Sequence, residues 1–120
     1  MKWSVSLTAE VDQWFLALAD SDGVMADRVE AAINVLADTG PSLGRPLVDK
    51  ISASRHHNMK ELRIGSIRIL FAFDPLSEAI LLLAGDKAGA WSKWYLQNIP
   101  IADRRLDEHL EALRSDEHGN

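Results

Sequence analysis

Two arginines, Arg63 and Arg68, bracket Gly65-Ser66, and this spacing is the clearest chemical feature of the chain. Across a two-residue turn, position 64 faces 67, 63 faces 68 and 62 faces 69, so the two guanidinium groups become cross-strand neighbours on one face. Like charges so placed repel unless an anion lies beside them. Glu61, a diagonal neighbour on that face, is one candidate anion. A phosphate, which arginine binds in bidentate fashion, is the other. Lys87 ends the following apolar run and could close the same pocket from its edge. Lys60 falls by parity on the Leu62 side and ranks below the others. Two readings fit these residues: surface charge neutralised by Glu61, or an anion site.

The elements around the pair must hold it in place. Met59–Ile64 and Ile67–Phe73 read as hairpin strands, with Gly first in a type II′ turn. Ile67, Ile69, Phe71 and Phe73 face one way, and Arg68, Leu70 and Ala72 the other. Asp74-Pro75-Leu76-Ser77 is a turn, and 78–85 is a third, buried strand. Upstream, 2–6 alternates as a short strand. Thr8 caps a helix to about Ala19, and a second helix runs from about Val24 to Ala37 before Thr39-Gly40-Pro41. A strand is also expected within 47–52. Downstream, 89–98 is rich in aromatics (Trp91, Trp94, Tyr95), read as packing under the last helix. Pro100 suits the first turn of that helix, which ends near Arg114 and leaves 115–120 as a frayed tail. The order predicts an α+β fold in one domain over 1–120: a small antiparallel sheet, two N-terminal helices and a C-terminal helix, with the helices on one sheet face.

Composition narrows the function classes. The 120 residues include no cysteine, which excludes disulfides and thiolate metal sites and suggests a reducing compartment. No apolar run approaches the roughly 20 residues of a membrane span, and no secretory signal is visible, so a cytoplasmic location is expected. The net charge of −5 argues against a broad duplex-binding face. Its distribution is uneven, however. Residues 1–44 carry net −5 and 95–120 net −3, whereas 45–94 carry net +3. A restricted anion site in the middle remains compatible with that balance.

The ordered series Lys60-Glu61-Leu62-Arg63, Arg68-Ile69-Leu70-Phe71 and Gly85-Asp86-Lys87 resembles the core of the RelE/ParE superfamily of toxins. With Trp91-Ser92-Lys93-Trp94-Tyr95 and Ile99-Pro100-Ile101-Ala102-Asp103, it looks most like the phage-derived HigB-like branch, over nearly the whole chain. The resemblance implies the toxin of a type II toxin–antitoxin system: an mRNA endoribonuclease, free or ribosome-dependent, that inhibits translation without metal or cofactor. It also implies a helix-turn-helix antitoxin as partner. Relatives in the ParE branch share the fold without the nuclease chemistry. A non-enzymatic inhibitor of a protein target, or an antitoxin-binding co-repressor, is therefore the alternative.

In an RNA-cleaving reading, the ribose 2′-OH attacks the adjacent phosphorus, and the protein stabilises charge and moves two protons. Arg63 and Arg68 would hold the phosphate, with Lys87 stabilising charge or the leaving oxygen. Glu61 is a candidate base, as is Tyr95, which lies where relatives carry a functional tyrosine. His56 and His57, in the turn before the hairpin, are further titratable candidates. Lys60, Arg55 and Lys93 are candidate substrate contacts.

Overall fold

The computed structural model describes residues 3–118, with side chains through residue 116. The chain order is β1 (Val5–Leu7), α1 (Ala9–Ser21), α2 (Gly23–Thr39), a 3-10 turn (Gly40–Ser42), β2 (Val48–Lys50), β3 (Lys60–Ile64), β4 (Ile67–Phe73), β5 (Ala79–Asp86) and α3 (Trp91–His118). Thr8 and Asp22 cap α1 and α2 by accepting from the backbone N–H of Val11 and Met25. The sheet order is β1-β5-β4-β3-β2. Its centre is the expected antiparallel meander, but β1 pairs parallel with β5, so the sheet is mixed at that edge. The edge strands β1 and β2 are both shorter than the spans their alternation suggested, and Lys2 lies outside the described residues.

The helices occupy both sheet faces rather than one. Val11, Val29 and Leu36 of α1 and α2 pack on Leu62, Ile69, Phe71 and Leu81. On the opposite face, Trp94, Ile99, Ala102 and Leu106 of α3 pack on Met59, Leu70, Ala72 and Leu82. The physical reason is that β4 is apolar on both faces, which demands two covers. Fully burying one such leucine stabilises by about 1.5–3 kcal/mol.

A bulge between β4 and β5 sets the register of the site. Leu70 faces Leu83 and Phe71 faces Leu81, so β5 carries one extra residue, Leu82. Leu82 and Leu83 both join the α3-side core. Beyond the bulge, Gly85 faces Arg68 and Asp86 faces Ile67.

Helix α3 is continuous from Trp91, and Pro100 lies inside it rather than at its start. Proline removes one donor, to the carbonyl four residues back. Leu96 and Pro100 are both exposed, so that carbonyl lies on the solvent side. The buried stripe of Trp94, Ile99, Ala102 and Leu106 runs through the proline without a break. The helix also continues past Arg114 to His118, because no breaker occurs before Gly119. Residues 119 and 120 of the expected tail lie outside the described residues.

Candidate active site

The turn at Gly65-Ser66 has the expected geometry. Gly65 adopts φ +58°, the left-handed region the first position of such a turn requires. Arg63 faces Arg68 and Ile64 faces Ile67 across β3 and β4. The face they share is covered by α3, however, so Arg68 is buried rather than displayed.

Arg68 is held from several sides. Its Nη1 donates to its own turn, to Gly65 O at 2.6 Å and Ile67 O at 2.9 Å. Its Nε donates to Tyr95 Oη at 3.3 Å and lies 3.4 Å from Glu61 Oε1. Tyr95 Oη in turn donates to Glu61 Oε1 at 2.6 Å. Three elements, β3, β4 and α3, thus supply one closed triangle. No other protein partner takes Arg68 Nη2 or Glu61 Oε2 among the described residues, and no buried side-chain nitrogen or oxygen there is unpaired. Both atoms therefore reach solvent, at the open edge of the cluster.

Gly85 makes room for this arrangement. A Cβ at Gly85 would stand 2.9 Å from Trp94 Nε1, so the bare backbone opposite Arg68 lets the indole lie against β5. Trp94 packs edge-on to Tyr95, with ring centroids 5.3 Å apart. The seat of Trp94 on Gly85 therefore fixes where α3 presents Tyr95.

Arg63 and Lys87 flank the triangle. Arg63 is about one-third exposed, and its Nη1 lies 3.8 Å from Asp49 Oδ2 on β2. Lys87 is anchored by its backbone N–H, which donates to Ser66 O at 3.0 Å. Its side chain is 3 % exposed, with Nζ 2.9 Å from the centroid of the Trp91 ring. Burial lowers the proton affinity of the Lys87 ammonium, Arg68 and Arg63 lower it further, and Glu61 opposes them. Burial raises the Tyr95 hydroxyl above its ordinary value, and the hydrogen bond to Glu61 adds to that, against the opposing effect of Arg68. Tyr95 is thus a protonated donor at neutral pH and poorly suited to accept a proton.

Five of the expected site residues, Glu61, Arg63, Arg68, Lys87 and Tyr95, come together. The others do not. Lys60 turns to the α1–α2 side, and its Nζ donates to Pro41 O at 2.9 Å. Arg55 pairs with Asp107 on α3, and its backbone N–H donates to Asp103 Oδ2, so it fastens a loop. Lys93 is exposed and forms no ion pair among the described residues. His56 also binds Asp107, at 2.8 Å, and His57 is exposed; neither joins the cluster. Sequence reasoning missed Asp49, which offsets Arg63, and Arg28 of α2, which lines a groove of about 340 Å³ with Arg63 and Gly65. It also took Trp91 for a packing residue, whereas Trp91 is 65 % exposed. The four-residue step from Lys87 to Trp91 across Gly89 was the available signal.

Comparison with known proteins agrees with this architecture. Residues 13–107 match the family described as phage-derived protein Gp49-like. The chain is 54 % identical to HigB3 of Mycobacterium tuberculosis, covering 97 % of both chains, and 51 % identical to HigB2 of the same organism. Both relatives are provisionally named toxins. The match to HigB2 takes in 89 % of this chain and 56 % of HigB2. The fold is similar to the YoeB dimer structure from Staphylococcus aureus (TM-score 0.57, 11 % identity, 68 % of this chain and 92 % of that one). It is also similar to the RelB–RelE antitoxin–toxin complex from Methanococcus jannaschii (TM-score 0.50, 16 % identity, 72 % and 95 %). The chain belongs to the phage-derived Gp49-like family, with HigB toxins among its relatives.

Proposed function

We propose that this protein is the toxin of a type II toxin–antitoxin pair and that it cuts mRNA in the cytoplasm. The observation that carries this reading is the Arg68–Glu61–Tyr95 triangle with Arg63 and Lys87 at its rim: three cations around one carboxylate, with one guanidinium edge and one carboxylate oxygen open. The ribose 2′-OH loses its proton to Glu61 Oε2 as O2′ bonds to phosphorus. The P–O5′ bond breaks, and O5′ takes a proton from Lys87 or Tyr95. The products are a 2′,3′-cyclic phosphate and a 5′-hydroxyl. Arg68 Nη2 and Arg63 stabilise the extra charge on the phosphoryl oxygens, the role that positioned donors fill best in a partly dry site. The identity to HigB3 and the fold shared with the RelB–RelE complex support a cognate antitoxin as the partner that restrains this site, and the HigB-like resemblance implies one of the helix-turn-helix class.

The test is RNA cleavage by purified protein, on free message and on ribosome-bound message, comparing wild type with Arg63→Ala and Arg68→Ala. Cleavage that collapses in both variants is expected. Full activity in both would overturn the reading. Growth arrest with intact message would favour inhibition of a protein target.

A further inference from the structure

Trp91 and Lys87 are exposed in opposite senses. The indole is 65 % exposed, yet it covers an ammonium that is itself 3 % exposed. The contact, 2.9 Å from Nζ to the ring centroid, is a cation–π cap rather than core packing. The two other tryptophan and tyrosine side chains of this segment behave differently: Trp94 is buried, and Tyr95 is half-buried and hydrogen-bonded. Trp91 therefore adds little to the core while presenting a large flat face beside the anion-binding cluster. Lys87 is at the rim but shielded from solvent by that indole, so it meets a phosphate only when the ring moves aside.

Resting on the nuclease reading above, we infer that Trp91 is a substrate-binding residue whose indole stacks on a nucleobase next to the scissile phosphate, and that this move uncovers Lys87. Unpaired RNA bases are held on aromatic faces in this way, and the interaction tolerates sequence because every base has a π face. The exchange is chemically balanced. The ring leaves one electron-poor partner, the ammonium, for another, the base, while the freed ammonium gains the phosphate. The turn that carries Trp91 suits a small displacement: Ala90 N–H donates to Lys87 O at 3.0 Å, Gly89 adopts φ +74°, and a Cβ at Gly89 would meet nothing within 4 Å.

The experiment uses the full chain and whichever message, free or ribosome-bound, the wild type cuts. It compares Trp91→Phe with Trp91→Leu. Phenylalanine keeps an aromatic face, and leucine keeps apolar bulk without one. The expected result is that W91F stays within a few-fold of wild type in kcat/KM while W91L falls on the order of 10- to 100-fold. Quenching of tryptophan emission by a single-stranded RNA carrying a 2′-deoxy sugar at the cut site supplies a readout independent of catalysis. Wild type should quench, and W91L should lose that quenching. Equal cleavage by the two variants, or quenching that survives in W91L, would overturn the inference. No cleavage by wild type, with quenching intact, would instead count against the nuclease reading and leave the stacking contact standing.

Discussion

Tyr95 Oη donates a hydrogen bond to Glu61 Oε1 across 2.6 Å while accepting one from Arg68 Nε at 3.3 Å. One hydroxyl thus links a carboxylate on β3 to a guanidinium on β4. Tyr95→Phe keeps the ring and removes the link. Cleavage is expected to fall about 100-fold, as when a positioned proton-handling group is lost. Folding stability should drop by about 1 kcal/mol, the net worth of one such hydrogen bond. Single-turnover cleavage and urea unfolding read the two effects separately.

Arg63 and Arg68 face each other but differ in burial, so their alanine variants should part company. Arg63→Ala is expected to cut activity steeply and leave stability within about 0.5 kcal/mol, because Arg63 is partly exposed and its ion pair with Asp49 is long. Arg68→Ala leaves Glu61 buried without its cation and should cost about 3 kcal/mol as well. Adding Glu61→Gln to Arg68→Ala should recover part of that loss. Equal unfolding midpoints for the two single variants would contradict this account.

The seat of Trp94 on Gly85 predicts a positional effect that chemistry alone would not suggest. Gly85→Ala puts a methyl group 2.9 Å from Trp94 Nε1. The indole must shift, and Tyr95 shifts with it. A stability loss of about 1–3 kcal/mol is expected from the overpacking, with cleavage impaired although no charged group has changed. Thermal melts and cleavage assays on the same preparation check both.

Lys87 predicts an alkaline limb. Its ammonium loses its proton below the ordinary lysine value of 10.5, so charge stabilisation fades as pH rises through that lowered value. Lys87→Arg keeps its charge there and should lack the limb in kcat/KM. Stability moves the other way. Between the folded value and 10.5 the unfolded chain holds more protons, so unfolding becomes harder as pH rises through that window. A pH series of urea midpoints on wild type and K87R measures it.

Asp74 predicts an acid limb of stability. Burial alone would raise its carboxyl, but hydrogen bonds from His109 and from the backbone N–H groups of Glu78 and Leu76 outweigh it, and the net shift is downward from 3.8. The stabilisation is complete above 3.8 and is lost as pH falls through the lower folded value. Asp74→Asn should be less stable at neutral pH and show a shallower loss below 3.8.

The hairpin was legible because its register follows from two residues, Gly65 and Ser66, and from parity along β3 and β4. That arithmetic gave the Arg63–Arg68 pairing directly. The burial of Arg68 was not legible. Arg68, Leu70 and Ala72 alternate with Ile67, Ile69 and Phe71, and the pattern cannot tell a solvent face from one covered by a distant helix. The cover, α3, was hidden by Pro100, whose propensity marks a helix start unless tertiary packing holds the helix through it. The β5 bulge was equally hidden, since a run such as Leu81-Leu82-Leu83 has no alternation to interrupt. Lys60, Arg55 and Lys93 stand beside the site in sequence but are carried away by strand parity, by a loop tie and by helix phase.

Adjacent residues of α3 have opposite duties: Trp94 fills the second core, and Tyr95 closes the site. Catalytic readiness and cohesion are therefore bound to one rigid body. An inhibitor that pried α3 away would not merely silence the protein; it would open half of the sheet to water. On the proposed reading, reversible restraint is expected from a partner that leaves the helix seated and blocks the approach to Arg68 from outside.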